Sequence, residues 1–278
     1  MSEHLQVPYR SIPDMFLQRV ASTPDAKAFA FPGPSGPVWL SWADVHKRAA
    51  GIAAGLTTLG VRPEDRVAIA CNTRVDWVFA DLGIMCAGAA TTTIYPTTEA
   101  RDAAFILNDS GSKVLIAEDA TQVAKIADAD LPNLTHVVVI SGTAEAKVPV
   151  LTMAELEEKG NAALAEDPEL VTRTSAGVRP AHLATIMYTS GTTGTPKGVE
   201  LLHGGWCWQG VAQGELGILL PNDLEYLWLP LSHSFGKTIL AGVIHVGLPT
   251  YIDGRIDKLV EQLPQIQPTI MCAAPRIF

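Results

Sequence analysis

The strongest constraint on the fold is a series of short, almost wholly apolar segments, each separated from the next by a stretch with helical periodicity. In the first half of the chain these segments are Val67–Ala70, Lys113–Ala117 and His136–Ile140. Continuous apolar strands that alternate with helices are typical of a parallel sheet, because helices cover both of its faces. The sequence therefore predicts an α/β fold in which mainly parallel sheets are flanked by helices.

Helix boundaries are marked by local signals. Ser11 and Ser41 each precede an aspartate by three residues, a pattern typical of a helix N-terminus, and Gly60 stands where a helix would end. The predicted helices cover residues 12–20, 45–59, 75–87, 98–107 and 121–127, and a further strand covers 91–95.

Residues 141–181 differ from the rest in being rich in glycine, proline and acidic residues. This composition predicts a surface segment with one short helix near Ala154–Glu158, capped by Thr152 and Glu155. It also marks a boundary between two lobes.

The predicted lobes are a first α/β lobe, residues 1–180, and the start of a second lobe, residues 181–278. The second lobe opens with an apolar strand, Leu183–Tyr188, and a glycine-rich loop. Further strands or helices are predicted in its apolar runs at Glu225–Leu229, Ile239–Val246, Thr250–Ile252 and Thr269–Ala273.

Composition excludes several functional classes. Hydrophobic residues make up 47% of the chain and charged residues 18%, which excludes an intrinsically disordered protein. The formal net charge is −9. Because proteins that hold DNA or RNA need a basic face, this charge argues against nucleic acid as a partner.

The sequence also bears on the compartment. No basic stretch followed by an apolar run is present at the N-terminus, so no signal peptide is predicted. The most apolar stretch, Trp77–Ile94, contains Asp81, whereas a membrane span needs about 20 mostly apolar residues. The four cysteines are widely spaced, which predicts buried free thiols and neither a disulfide framework nor a metal site. These features predict a soluble, cytoplasmic protein.

One segment concentrates the residue types that bind phosphate. It reads Tyr188-Thr-Ser-Gly-Thr-Thr-Gly-Thr-Pro-Lys-Gly198. Glycines let backbone N–H groups approach an anion, hydroxyl groups donate to phosphate oxygens, and a lysine supplies a mobile positive charge. The predicted phosphate-binding residues are Thr189, Ser190, Gly191, Thr192, Thr193, Gly194, Thr195 and Lys197.

Two common nucleotide motifs do not fit this segment. A Walker A loop that began at Gly191 would need glycine at position 196, where Pro196 stands, and a serine or threonine in place of Gly198. The spacing of the glycines also differs from the Rossmann fingerprint. A purely flexible turn is the remaining alternative, and the Thr-Pro-Lys-Gly ending directly after an apolar strand argues against it.

The segment resembles the phosphate-binding signature of the acyl-adenylate-forming superfamily, which includes acyl-CoA synthetases, firefly luciferase and the adenylation domains of peptide synthetases. Leu229–Gly236 resembles the next motif of that family, whose histidine or aromatic residue borders the acyl pocket. Tyr95–Thr97 resembles a segment of the long-chain fatty acyl-CoA synthetase branch, and Ala274–Phe278 resembles a segment that continues into a helix. The resemblance extends from Ser11 onward and implies the N-terminal domain of an adenylate-forming enzyme.

The resemblance implies a two-step ligase reaction. The carboxylate of a medium- or long-chain fatty acid attacks the α-phosphate of ATP, with Mg²⁺ bound, and gives acyl-adenylate and pyrophosphate. The thiol of coenzyme A then displaces AMP. Activation is needed because a carboxylate lacks a good leaving group, and the chemistry depends mainly on positioning and charge stabilisation.

By the same resemblance, His233 is the motif histidine and is expected at the catalytic site, where it positions the carboxylate. Lys237 is expected either to assist an anion or to be a solvated surface lysine. Trp206 and Trp208 are expected to pack in the core rather than to line an acyl channel.

Three further residues receive no catalytic role. His203 is expected to cap or pack locally, and His245 is expected to be structural. Arg276 matches a recurrent arginine of the family, but its chemistry is not evident from the sequence.

Parts of the family's site are missing from the sequence: the adenine-binding segment with its Mg²⁺-contacting glutamate, the ribose-binding aspartate, and the small C-terminal domain with its catalytic lysine. In the family these follow the point at which this chain ends. The 278 residues are therefore expected to be a truncated part of a longer enzyme and to be inactive or nearly so alone.

Two alternatives remain open. A fatty acyl-AMP ligase would make the same adenylate but pass the acyl group to a carrier protein. A non-catalytic nucleotide- or acyl-binding module would retain the loop without the chemistry. Acyl chain length and oligomeric state are not fixed by the sequence. A peripheral membrane contact suits an apolar substrate, although no amphipathic anchor is evident.

Overall fold

The computed structural model describes residues 5–189 and 195–273, which contain eleven strands and ten helices. The strands are β1 (Lys27–Gly33), β2 (Gly36–Ser41), β3 (Arg66–Ala70), β4 (Ala90–Ile94), β5 (Val114–Ala117), β6 (His136–Val139), β7 (Val150–Thr152), β8 (Leu183–Thr189), β9 (Lys197–Leu202), β10 (Glu225–Leu227) and β11 (Thr250–Ile252). The helices are α1 (Ile12–Ser22), α2 (Trp42–Thr58), α3 (Val75–Cys86), α4 (Ala100–Ser110), α5 (Ala120–Ala124), α6 (Met153–Glu166), α7 (Leu170–Gly177), α8 (His203–Glu215), α9 (Ser234–Val246) and α10 (Ile256–Ile266).

The chain forms two compact units, each assembled from separate stretches of sequence. The first unit takes its described residues from 1–46, 73–75 and 204–278, and the second from 47–72 and 76–203. The division into lobes at residue 180 stays a prediction.

The second unit is built on a seven-stranded sheet with the order β7-β6-β5-β3-β4-β8-β9. Every neighbouring pair in this order is parallel except β8 and β9, which are antiparallel. Strands β3, β4 and β5 are almost entirely buried, as their continuous apolar sequences predict. The predicted fold class, mainly parallel sheet flanked by helices, is therefore confirmed.

A hydrophobic core lies against one part of this sheet and joins strands to α4. Its members include Ala68, Leu115 and Val137 from the strands and Ile106 and Leu107 from the helix, all of them buried. Burial of each large aliphatic side chain contributes roughly 1.5–3 kcal/mol to folding. This core fixes α4 on the sheet beside β8.

The first unit contains a four-stranded sheet with the order β10-β11-β1-β2. The hairpin formed by β1 and β2 was not predicted, because Pro32, Gly33, Pro34 and Pro37 give this segment the composition of a loop. The glycine that begins β2, Gly36, has φ +121°, a backbone conformation that residues other than glycine rarely adopt. Strand β1 also pairs in parallel with β11, which lies far away in sequence.

The surface segment after β6 is more regular than its composition predicts. Thr152 and Glu155 form the predicted capping box, but α6 continues to Glu166 and α7 follows, so the expectation of one short helix was wrong. Gly160 is a point of close approach to α2 rather than a helix breaker. A Cβ atom there would lie 1.8 Å from the carbonyl oxygen of Gly51, so only glycine permits this contact.

Other local predictions have mixed outcomes. Ser11 caps α1 through a 3.2 Å hydrogen bond that its Oγ accepts from the backbone N–H of Asp14. Near Thr269 the predicted regular element is reduced to an isolated bridge between Glu225 and Ile270.

The four cysteines are free thiols, as predicted, and three of them are buried. Within the described ranges, no helix has the length and apolar character needed to cross a membrane.

Candidate functional site

The β8–β9 hairpin carries the two ends of the predicted phosphate loop. Strand β8 is buried through Ala184–Met187 and becomes exposed at Thr189, and the antiparallel register places Thr189 opposite Lys197. Thr189, Thr195 and Lys197 are all exposed. The strands thus present a threonine hydroxyl and a lysine ammonium at the mouth of the loop.

The other predicted phosphate-binding residues, Ser190, Gly191, Thr192, Thr193 and Gly194, lie outside the described residues. Their role stays a prediction. The structure describes their attachment points, which are the last residue of β8 and Thr195 before β9.

The position of the hairpin in the sheet favours ligand binding. In a doubly wound sheet, ligands bind beyond the carboxyl ends of the parallel strands. Strand β8 pairs in parallel with β4, with Thr93 opposite Met187, so Tyr95 and Thr189 both follow at this carboxyl edge. The segment Tyr95–Thr97, identified by its resemblance to long-chain synthetases, therefore lies at the same sheet edge as Thr189, where the loop begins.

Tyr188 links the hairpin to α4. Its hydroxyl donates a 2.7 Å hydrogen bond to Oδ2 of Asp109, and its ring packs against the hydrophobic core of the second unit. On the opposite strand its register partner is Gly198. Sequence analysis did not identify Asp109, because 79 residues separate it from Tyr188 and no local pattern joins them.

His233 belongs to the first unit and serves as the N-cap of α9. Its Nδ1 accepts a 3.1 Å hydrogen bond from the backbone N–H of Phe235, and the side chain is exposed. An imidazole whose Nδ1 accepts carries its proton on Nε2 in the neutral state. This arrangement leaves an N–H donor on the exposed ring, which is suited to orienting an anionic group.

The segment that leads to His233 is held by a threonine that sequence analysis missed. The buried hydroxyl of Thr73 donates to the carbonyl oxygen of Leu229 at 2.9 Å and accepts from the N–H of Leu231 at 3.1 Å. One side chain therefore fixes both sides of Pro230. Thr73 could not be predicted from the sequence, because it lies more than 150 residues from the motif that it contacts.

Lys237 lies one turn after His233 and is buried, with 3% of its surface exposed. Of its two expected roles, the solvated surface lysine is therefore wrong, and assistance to an anion stays a prediction. Its ammonium lies 5.8 Å from the centre of the Trp206 ring, within the range of a cation–π contact. Trp206 is buried as predicted, whereas 48% of Trp208 is exposed, so the expectation of core packing was wrong for Trp208. Residues two apart on a helix point to nearly opposite sides, so α8 buries only one of these rings.

The two histidines expected to be structural are accounted for by their contacts. His203 is fully buried at the start of α8, and its N–H donates to the carbonyl of His182. His245 is hydrogen-bonded through Nδ1 to the hydroxyl of Tyr9 at 2.9 Å, and burial lowers its pKa. Arg276 lies outside the described residues.

The comparison with protein families gives the same class of protein as the sequence resemblance, the adenylate-forming enzymes. Residues 16–278 match the model of the family described as AMP-binding enzyme. The chain belongs to this family, which confirms the resemblance inferred from the phosphate loop.

Its relatives include the long-chain-fatty-acid–CoA ligase FadD15 of Mycobacterium bovis, 32% identical over 87% of this chain and 40% of the relative. Fatty acyl-CoA synthetase A of Dictyostelium discoideum is 29% identical over 86% of this chain and 36% of its own length. The chain therefore spans about two-fifths of the curated relatives it matches.

Among solved structures, a long-chain-fatty-acid–CoA ligase (FadD1) from Archaeoglobus fulgidus matches with a TM-score of 0.80. The match covers 95% of this chain and 51% of that one, at 21% identity. At this level of identity the likeness establishes the fold alone.

Proposed function

We propose that a protein carrying this chain activates a medium- or long-chain fatty acid with ATP and transfers the acyl group to coenzyme A. The observation that carries the proposal is the β8–β9 hairpin of an AMP-binding family member, with Thr189 and Lys197 facing each other at the ends of a glycine- and threonine-rich loop. The names of its relatives, which are fatty-acid–CoA ligases, support the choice of substrate.

The chemistry of the described side chains fits a polyphosphate. Hydroxyl groups at Thr189 and Thr195 can donate to phosphate oxygens, and the Lys197 ammonium can offset their charge. Magnesium would arrive with ATP and reduce the charge of its phosphates. The loop would hold the β- and γ-phosphates in place while the fatty-acid carboxylate attacks the α-phosphate, and a glycine-rich sequence suits the later release of pyrophosphate.

His233 would act by orientation in this reaction. Its Nε2–H donor can bind an oxygen of the substrate carboxylate or of the acyl-adenylate, and its cap bond to Phe235 fixes the ring. No proton needs to be removed from an ionised carboxylate, so a base is not required.

The activity is proposed for a polypeptide that extends beyond this chain, because the chain spans about two-fifths of its relatives. We propose that the 278 residues alone release little or no pyrophosphate.

The test is pyrophosphate release by the natural protein that carries this sequence, with Mg-ATP, a ladder of fatty acids, and coenzyme A either present or absent. The proposal expects release that depends on the fatty acid, and acyl-CoA only when the thiol is added. Adenylate without thioester would instead favour a fatty acyl-AMP ligase that uses a carrier protein. No release with any acid would leave the loop as a binding site only.

A further inference from the structure

Tyr188, the first residue of the predicted phosphate-binding segment, is hydrogen-bonded to a side chain that lies outside that segment. Tyr188, two residues before position 190, donates from its hydroxyl to Oδ2 of Asp109 at 2.7 Å. Asp109 is in the last turn of α4, and the Nε of Arg66 donates to the carbonyl oxygen of neighbouring Ser110 at 2.6 Å. The acceptor thus belongs to a helix end that is itself tied to β3.

The ring of Tyr188 also lies close to the strand on the other side of the hairpin, where its register partner is Gly198. A Cβ atom at Gly198 would lie 3.0 Å from Cγ2 of Ile186, 3.1 Å from Cζ of Tyr188 and 3.2 Å from the Tyr188 hydroxyl oxygen. These separations are closer than ordinary van der Waals contact, so Ile186 and the Tyr188 ring together occupy the space that a side chain at position 198 would need. One tyrosine therefore contacts both arms of the hairpin.

The hydroxyl remains a donor over the neutral pH range. Burial raises the pKa of Tyr188 above its ordinary value, and the hydrogen bond to Asp109 and its charge act in the same direction. A neutral phenol keeps the proton that it shares with the carboxyl group.

We propose that Asp109 and Tyr188 are positioning residues for polyphosphate binding: their hydrogen bond fixes the end of β8, and through Gly198 the start of β9, so that both ends of the loop are held. This inference rests on the proposed function. It goes beyond the loop motif, because it assigns a role to a side chain of α4, outside the loop sequence.

The first test is Tyr188→Phe, which removes only the hydroxyl and keeps the ring against Gly198. In titration calorimetry of the natural protein with Mg-ATP and with inorganic tripolyphosphate, we expect Kd to rise about three- to tenfold, the usual effect of one lost hydrogen bond. In turnover assays KM for ATP should rise while KM for the fatty acid is unchanged.

The matched control is Tyr9→Phe. The hydroxyl of Tyr9 also forms one hydrogen bond of similar length, 2.9 Å to Nδ1 of His245, but Tyr9 belongs to the other compact unit. The Tyr9→Phe variant also loses one hydroxyl oxygen, and we expect its Kd for ATP to stay within about twofold of that of the parent protein.

Substitutions at Asp109 test the partner. Asp109→Asn retains an oxygen acceptor and should bind ATP nearly as well as the parent protein, whereas Asp109→Leu should match Tyr188→Phe. Because both single changes break one shared bond, the double variant should be no weaker than either, which is the signature of direct coupling.

The outcomes separate the two proposals. Parent-like ATP affinity in Tyr188→Phe, an equal loss in Tyr9→Phe, or additive losses in the double variant would each overturn the positioning role and leave the proposed function intact. If the parent protein binds neither Mg-ATP nor tripolyphosphate, the proposed function fails and this inference fails with it.

Discussion

Each compact unit contains one antiparallel hairpin at the edge of a sheet whose other described strand pairs are parallel, and the two hairpins differ in their connections. Strands β1 and β2 are joined by two residues, 34 and 35, whereas β8 and β9 are joined by seven, 190–196. The short connection can only reverse the chain. The long one, rich in glycine and threonine, has enough backbone N–H and hydroxyl groups to surround an anion.

The strands of the two hairpins also present different side chains at the turn. The first ends at Gly33 and Gly36, which carry no functional group, and the second ends at Thr189 and Lys197. An antiparallel edge strand is therefore common to both units, and under the proposed function the connection and its two flanking residues make the second hairpin a binding site.

The largest effect should follow from removing that difference. Replacing residues 190–196 with Asn-Gly gives the second hairpin a two-residue turn that suits its register. We expect ATP affinity to fall at least about 100-fold, because several hydrogen bonds to a charged ligand are lost at about 1.5–3 kcal/mol each. Calorimetry would measure the affinity and circular dichroism the retained fold.

The control for this exchange is the same Asn-Gly turn in place of Pro34 and Ser35, which should leave ATP affinity unchanged. Persistence of ATP binding after the exchange at 190–196 would show that the loop is not the phosphate site.

A smaller loss is expected from Lys197→Met, which keeps the length of the side chain but removes its charge. Loss of a charged hydrogen bond should lower kcat/KM for ATP about 10- to 100-fold. The matched control is Lys27→Met at the start of β1, where the ammonium lies 4.8 Å from the Trp39 ring centre. Equal losses in the two variants would contradict a specific role for Lys197.

The sheets should also respond differently to pH. Glu225 on β10 is buried, which raises its pKa from 4.5 to about 8. The folded state therefore holds this proton more tightly than the unfolded state, so its stabilising effect is complete below pH 4.5 and is lost as the pH rises through 8. We expect the unfolding free energy to fall by about 1–2 kcal/mol between pH 6 and 8, as linkage predicts.

Urea denaturation across this pH range would measure the effect, and Glu225→Gln should flatten the slope. Glu200→Gln, an exposed glutamate on β9, is the matched control and should leave the slope unchanged. An identical pH slope in the parent protein and in Glu225→Gln would contradict the assignment.

The smallest effects are expected from replacing Gly36 of the first hairpin and Gly198 of the second with alanine. Gly36→Ala meets no atom within 4 Å but must adopt φ +121°, so it should cost about 1 kcal/mol of stability without changing ATP affinity. The new methyl group of Gly198→Ala would meet the Tyr188 ring. Its main effect should be weaker ATP binding, with only a small decrease in Tm. Thermal denaturation and calorimetry on both variants would test this, and the reverse pattern would contradict it.

Sequence reasoning succeeded where the signal is local. The run Val67–Ala70 was correctly predicted as a buried strand, because its own apolar composition is enough to indicate burial. Ser11 and Thr152 begin helices because their side chains satisfy N–H groups within three residues.

It failed where the determining contact is distant in sequence. Lys237 is buried beside Trp206 of α8, and α6 packs against α2 where Gly160 approaches Gly51, and neither contact is visible in the local sequence. The Asp109–Tyr188 pair and Thr73 left no pattern for the same reason. Of the predicted loop, Thr189, Thr195 and Lys197 can be placed, and their binding role stays a prediction.

The pairing of β1 with β11 has a consequence for synthesis on the ribosome. Phe29 is paired with Thr250, about 220 residues later in the chain. At roughly 5–20 residues per second, β1 waits on the order of 10–40 seconds for its parallel neighbour to be made. During that time all strands of the seven-stranded sheet, residues 66–202, emerge and can pair. The second unit can thus fold first, while the sequence that was made earliest is among the last to reach its final partners.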